Sequence, residues 1–361
     1  MYLTGAHNIV PSKENVSEIT HVSLAFMNSS KFHENSPSEF PLFTSVDAVR
    51  EKFAPDTKVI IAIGGWGDTA GFSIGAKTGE SRELWAKHVA KMIEMTGADG
   101  IDVDWEFPGG NGYDYKIHPN SEKEWEIAAY PLFLAAIRDA IGPDKIISAA
   151  VPAKSADMLA FTKENMGAIS AQLDYLNIMT YDMMSIRDNV TNHHTGLQLS
   201  LASIDEYISR GLDPGKIYLG FAFYVKWFRV DPASGCTAHN AIGCSTVLME
   251  DPNTGADLGK AGALVWVQQV PSNLKASFEK AMSGVQYDDI GGGSYYFDAD
   301  ENIFWSWDTP DAIRKKFAPI VQKRALRGVF AWGLGEDANK FEHLKALNEG
   351  VRQYRAGAIN M

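Results

Sequence analysis

Two cysteines are all that the 361 residues contain. No apolar run reaches the roughly 18 residues of a membrane-spanning helix. Cys236 and Cys244 lie in one loop-like stretch with no CxxC pattern, which argues against a zinc site. They are read as a local disulfide, with two free thiols as the alternative. A disulfide belongs to an oxidising compartment. Basic charge is also short: 33 Lys+Arg stand against 45 Asp+Glu, for a net charge of −12, and no basic block occurs. That makes the chain a poor candidate for binding nucleic acid through phosphates and favours a neutral or cationic partner over an anionic membrane. There is no Pro/Ser/Thr-rich linker, no low-complexity tract and no short-period repeat. The opening MYLTGAHN has no signal-peptide pattern. Sequons at Asn15, Asn28 and Asn189 permit glycosylation.

What remains is ordinary globular composition, 45% hydrophobic and 22% charged, in a chain long enough for a sizeable core. Apolar, β-branched runs recur at His21–Met27, Lys58–Gly65, Gly100–Phe107, Ile146–Pro152, Tyr175–Tyr181, Ile217–Tyr224 and Gly328–Trp332, with Tyr2–Thr4 as a short eighth. Such runs suit strands covered on both faces. Helical spacing falls between them at Ser45–Ala54, Glu83–Met95, Leu132–Ile141, Leu197–Arg210 and Asp311–Lys323. Ser121 with Glu124 reads as a capping box. The alternation predicts an α/β fold, a (β/α)8 TIM barrel, with a doubly wound sheet as the alternative. The centres of the last two runs, Gly220 and Phe330, are 110 residues apart, far beyond the other gaps. A small α+β insertion is therefore expected between strands seven and eight, over residues 226–302. Residues 1–225 and 303–361 make the barrel. The insertion holds both cysteines, a helix pattern at Ser272–Met282 and a β pattern at Ser294–Trp307.

The segment Asp99-Gly-Ile-Asp-Val-Asp-Trp-Glu106 carries the chemistry. On a strand, Asp102, Asp104 and Glu106 share one face and Ile101, Val103 and Trp105 the other. The apolar set packs on helices, so the acids face the barrel axis. A solvated acidic edge strand conflicts with that apolar face. Carboxylates crowded about 6–7 Å apart repel and are costly to desolvate. Crowding raises pKa values, and a carboxylic acid protonated near neutrality can serve as a general acid. Glu106, nearest the C-terminal end of the strand, is the candidate acid, with Asp104 and Asp102 below it sharing a proton. A Mg2+ or Mn2+ site is the rival reading.

DGIDVDWEFPGG (Asp99–Gly110) resembles the D-x-x-D-x-D-x-E signature of glycoside hydrolase family 18, the chitinases. Ala62-Ile-Gly-Gly65 resembles the family's S-x-G-G, with Ala62 for the usual Ser. Met179-Thr-Tyr-Asp182 matches its M-T-Y-D, and Trp332 ends the last strand where the family keeps a Trp. The stretch around the cysteines resembles secreted fungal-type members. The resemblance implies a chitinase acting by retaining, substrate-assisted hydrolysis. Glu106 would protonate the glycosidic oxygen, and the substrate's own acetamido carbonyl would attack, giving an oxazolinium ion. Asp104 would steady the acetamido N–H, Tyr181 its oxygen, and Asp182 the bent sugar. Trp332 would form the floor. A non-catalytic lectin lacks the acid, so Glu106 argues against it. An endo-β-N-acetylglucosaminidase would use the same motif.

Further residues follow more loosely. Trp66 is placed beside a neighbouring sugar, Tyr2 and Phe26 along the pocket, Met179 against the acetamido group, and Trp227 as a product-side platform. Trp85 and Trp125 are assigned to the core, His193 and His194 to a loop near the cleft, and Asp99 to a supporting hydrogen bond. The expected partners are chitin and chitooligosaccharides, with no nucleic acid and no membrane. No cofactor or metal is expected. The chain is read as a secreted monomer whose leader has been removed.

Overall fold

The computed structural model describes residues 1–33, 37–338 and 340–357. Seven strands follow one another into a parallel sheet: β1 (Tyr2–Thr4), β2 (His21–Met27), β3 (Lys58–Gly64), β4 (Gly100–Asp104), β5 (Ile146–Pro152), β6 (Tyr175–Met179) and β7 (Ile217–Ala222). The chain then leaves for a second sheet made of β8 (Tyr224–Arg229), β9 (Ala261–Val265), β10 (Gln286–Asp288), β11 (Gly293–Asp298) and β12 (Ile303–Trp307). It returns as β13 (Gly328–Trp332), hydrogen-bonded to β7. The Tyr2 ring brings β1 to β13, 5.7 Å from Phe330 and 5.4 Å from Trp332 between centroids. The eight strands thus curl into a nearly closed (β/α)8 barrel.

The helices are α1 (Val46–Arg50), α2 (Ala70–Ala76), α3 (Gly79–Thr96), α4 (Asn120–Lys123), α5 (Trp125–Ile141), α6 (Lys163–Gln172), α7 (Leu197–Ser209), α8 (Ser272–Ser283), α9 (Pro310–Lys316) and α10 (Glu342–Arg355). Around the barrel they cover the outward strand residues, so that Ile61, Ile101, Val103 and Ile147 share one core with Trp85, Phe133 and Ile137. Burial of this kind supplies about 25 cal/mol per Å² of apolar surface.

Local details differ from the sequence reading. Ser121 caps nothing, because α4 begins at Asn120 and Ser121 is already inside it; its N-cap is Pro119, with no side-chain bond. The helix expected from Leu132 starts at Trp125, the pattern having been masked by the internal Pro131. Trp85 is fully buried, but Trp125, at the first turn of α5, is 38% exposed and not core. The helix expected through Lys323 ends at Lys316 and widens into a π turn over Phe317–Gln322. That turn contains Pro319, which has no N–H to give.

The second sheet is antiparallel in the order β10-β11-β12-β8-β9, and its strands reach from Tyr224 to Trp307. Both faces are covered. Phe228, Phe304, Tyr295 and Cys244 pack on one side, and Val225, Trp305, Leu274 and Ala281 of the α8 side on the other. Cys236 and Cys244 form a disulfide. Just past β12, Asp308 takes both oxygens to the Lys316 ammonium of α9 at 2.8 Å, with both side chains fully buried. No helix among the described residues is long and apolar enough to cross a membrane.

Candidate active site

The alternation of β4 aims Asp102 and Asp104 into the barrel, and the chain carries Glu106 just beyond the strand end. Asp102 is fully buried and saturated. It accepts from the Tyr2 hydroxyl at 2.7 Å, the Ser148 hydroxyl at 2.5 Å and the Asn177 amide at 3.2 Å. Burial raises its pKa, and these three bonds oppose the rise. Asp104 is 3% exposed, and its Oδ1 has no partner among the described residues. Burial, the Glu106 and Asp102 charges and a hydrogen bond to Glu106 push it well above the carboxylate range. Burial, with the charge of Asp182, lifts half-buried Glu106 to about 8, against the pull of its bond to Asp104. The strand therefore holds at least one protonated carboxyl at neutral pH.

Neighbouring strands fix this row. Asp99 accepts from the Val59 N–H at 2.8 Å and Arg50 at 2.9 Å, tying the start of β4 to β3. Gly64 sits opposite Asp104 with φ +105°, where a Cβ would collide with the Asp104 carbonyl oxygen. Gly65 donates its N–H to that same oxygen at 2.9 Å. Only glycine allows both the φ and the approach.

After β6 the chain turns so that Tyr181 is buried and Asp182 opens to the cleft in a left-handed conformation, φ 53°. Strain of this kind costs of order 1–3 kcal/mol and persists where the surroundings hold it. Here Lys226 Nζ lies 2.9 Å from Asp182 Oδ1, the Tyr224 hydroxyl donates at 3.0 Å, and the Asp182 N–H donates to His194 Nδ1 at 3.4 Å. Burial would raise the Asp182 pKa, but Lys226 and His194 outweigh it and hold Asp182 well below the usual range. One carboxyl is thus kept ionised while at least one neighbour at β4 keeps its proton.

Trp332 lies between Phe26, stacked at 5.5 Å, and Tyr2. Phe26 is 38% exposed and lines the cleft, whereas Tyr2 is buried and serves Asp102 instead. Met179 and Ala62 pack with Tyr2 and Tyr181 in the same cluster. Trp66 is 56% exposed, with its ring 6.4 Å from Phe107, the residue after the candidate acid. Trp227 corrects its expected role as a platform. Tyr224 and Lys226 take the site-facing side of β8, so alternation turns Trp227 to the cluster of Trp305 and Val225. His193 and His194 lie in the loop between β6 and α7 and are both buried there; His194 meets Asp182 at the cleft, and His193 Nε2 is 2.9 Å from Asp288.

Three residues around the site escaped sequence reasoning: Tyr224, Lys226 and Glu336. A lysine inside the aromatic run Phe223-Tyr-Val-Lys-Trp-Phe228 was the available signal. Glu336 had none; it lies behind Trp332, 3.4 Å from His7, and burial with the Asp182 charge pushes it up to about 7. No cluster of three or more His, Cys, Asp or Glu among the described residues is arranged to hold a metal ion.

The family model for glycosyl hydrolases family 18 matches residues 1–337. The chain belongs to that family. Endochitinase 1 of Metarhizium robertsii is 27% identical over 300 residues, covering 78% of this chain and 62% of its own. Chitinase A1 of Niallia circulans is 26% identical over 310 residues, covering 79% and 41%. The chain spans less than two thirds of the length of these relatives. Among solved structures, a family 18 chitinase of Rhizomucor miehei superposes with a TM-score of 0.79 at 21% identity, over 97% of this chain and 98% of that one. A family 18 N-acetylglucosaminidase of Paenibacillus barengoltzii gives 0.69 at 22%, with the same coverage. The barrel predicted from the sequence, with a second small sheet in its long insertion, is the family 18 fold.

Proposed function

We propose that this family 18 member is a chitinase. It hydrolyses β-1,4 bonds between N-acetylglucosamine units of chitin and chitooligosaccharides by a retaining, substrate-assisted mechanism. One observation carries the reading: Asp104 and Glu106, raised so that at least one keeps its proton, lie beside Tyr181 and face an ionised Asp182, with half-buried Trp332 at the same site. The sugar rests on Trp332 with its acetamide toward Asp104 and Tyr181. Glu106 gives its proton to the glycosidic oxygen as that bond to C1 breaks. The acetamido carbonyl oxygen bonds to C1 on the opposite face, which makes a cyclic oxazolinium ion. Asp104, once the proton it shares has passed to Asp102, accepts from the acetamido N–H, and its charge stabilises the cation. Glu106, now a carboxylate, takes a proton from water, which opens the ring and leaves the β-anomer.

The insertion at residues 226–302 forms one wall of the cleft and delivers Lys226 to Asp182. The disulfide fits a protein working outside the cell. The net charge of −12 fits a monomer with no nucleic-acid or membrane partner. Product analysis on chitohexaose beside a high-mannose glycoprotein tests the substrate. Cleavage of the hexamer with the glycoprotein untouched is expected. The reverse would make the protein an endo-β-N-acetylglucosaminidase.

A further inference from the structure

Three loops at the carboxyl end of the barrel meet in one stack. Arg187, after β6, lies with its guanidinium 5.3 Å from the centroid of Trp66, after β3, and 4.0 Å from that of Tyr115, after β4. Its two terminal nitrogens donate to the carbonyl oxygens of Asn111 at 2.9 Å and Gly112 at 2.8 Å. The plane of the guanidinium is therefore fixed. The line continues into the insertion. The Tyr115 hydroxyl donates to Glu250 Oε1 at 2.6 Å, and Lys116 Nζ sits 2.6 Å from the same oxygen. Lys116 also reaches the Asp251 carbonyl at 3.2 Å. Glu250 is 8% exposed, so this is a buried clasp and not a surface pair.

The position of the clasp gives it meaning. Under the hydrolase reading above, the sugar that keeps its C1 lies over Trp332. The leaving sugar then lies past Glu106, where Phe107 and the exposed ring of Trp66 wait. Arg187 stands one ring contact beyond Trp66, with Tyr115 and Glu250 behind it. We propose that the Arg187–Tyr115–Glu250 clasp is an end wall on the leaving-group side, so that this protein releases mono- and disaccharides from the reducing end. An aromatic–guanidinium stack pinned by two backbone carbonyls and, behind it, by the Glu250 carboxylate closes this end to a sugar chain. Arg187 contributes planarity and two directed donors, which lysine does not reproduce.

The test uses (GlcNAc)6 labelled at its reducing end, with early products read by mass spectrometry for the wild type, Glu250→Ala and Arg187→Lys. The wild type is expected to put the label in mono- and disaccharide. Both variants are expected to raise the labelled tri- and tetrasaccharide fraction by about tenfold, within the range single contacts contribute to discrimination. Labelled trisaccharide or longer as the main early wild-type product overturns the wall, as does an unchanged pattern in a folded variant. The wild-type pattern decides the matter even where a variant does not fold. Absence of any cleavage of the hexamer by the wild type would instead overturn the hydrolase reading, so the two failures are distinguishable.

Discussion

A carboxylic acid useful at neutral pH needs a reason to keep its proton, and Glu106 has two: burial and the negative Asp182. As the acid form is the active one, kcat/KM is expected to fall as pH rises through about 8, the value to which Glu106 is lifted. An ordinary glutamate would lose its proton near 4.3. A limb near 4–5 in the pH profile would remove Glu106 from the acid's role. Glu106→Gln keeps the shape and loses the proton, so turnover is expected to drop by about 10³-fold or more with oligosaccharide binding retained, measured by kinetics and calorimetry. The same shift acts on stability. A raised folded-state pKa stabilises fully below the unfolded value and is lost as pH rises through about 8. Glu106→Gln, which cannot ionise, is therefore expected to melt higher relative to wild type at pH 8 than at pH 5. The acids were legible in sequence because alternation alone sets their common face. Lys226 was not, since nothing local says that β8 reaches Asp182.

Among the elements, α9 and the end of β12 are joined by the Lys316–Asp308 pair, which has no water to fall back on. Lys316→Met leaves Asp308 buried and unpaired, at an expected cost of about 3–5 kcal/mol in chemical denaturation. The double change Lys316→Met with Asp308→Leu is expected to recover most of it, because a well-packed apolar pair avoids the desolvation of two charges. The disulfide belongs to a different class. It closes a loop spanning a sequence separation of only 8, so its reduction is expected to cost no more than about 2–3 kcal/mol. Circular dichroism should show the barrel intact after reduction, and loss of the whole fold would contradict this. Strands were read closely from sequence, since buried parallel strands are continuous apolar runs. Helix ends were not: Pro131 hid the first turns of α5, and Ser121 imitated a cap one residue too late.

Across the molecule, the proposed acetamide pocket draws on β1, β4, β6 and β13 of the barrel and on β8 of the second sheet, so its specificity depends on both sheets together. Cleavage is expected only where the sugar on the non-reducing side carries an N-acetyl group, with the β-anomer formed first. A buried polar pocket left unpaired by glucosamine discriminates by about 10⁴–10⁵. NMR of early products and digestion of partly deacetylated chitosan check this, and new reducing ends at glucosamine, or an initial α-anomer, would refute it. The fold class was written in the rhythm of the runs; the contact between β1 and β13 was not, because it joins residues 330 apart through rings and not through a pattern. That contact also sets a clock. Tyr2 and Phe26 leave the ribosome well before Trp332. During synthesis the chain carries its acid long before it owns a surface on which a sugar can lie. The last barrel strand to be translated is the one that completes that surface.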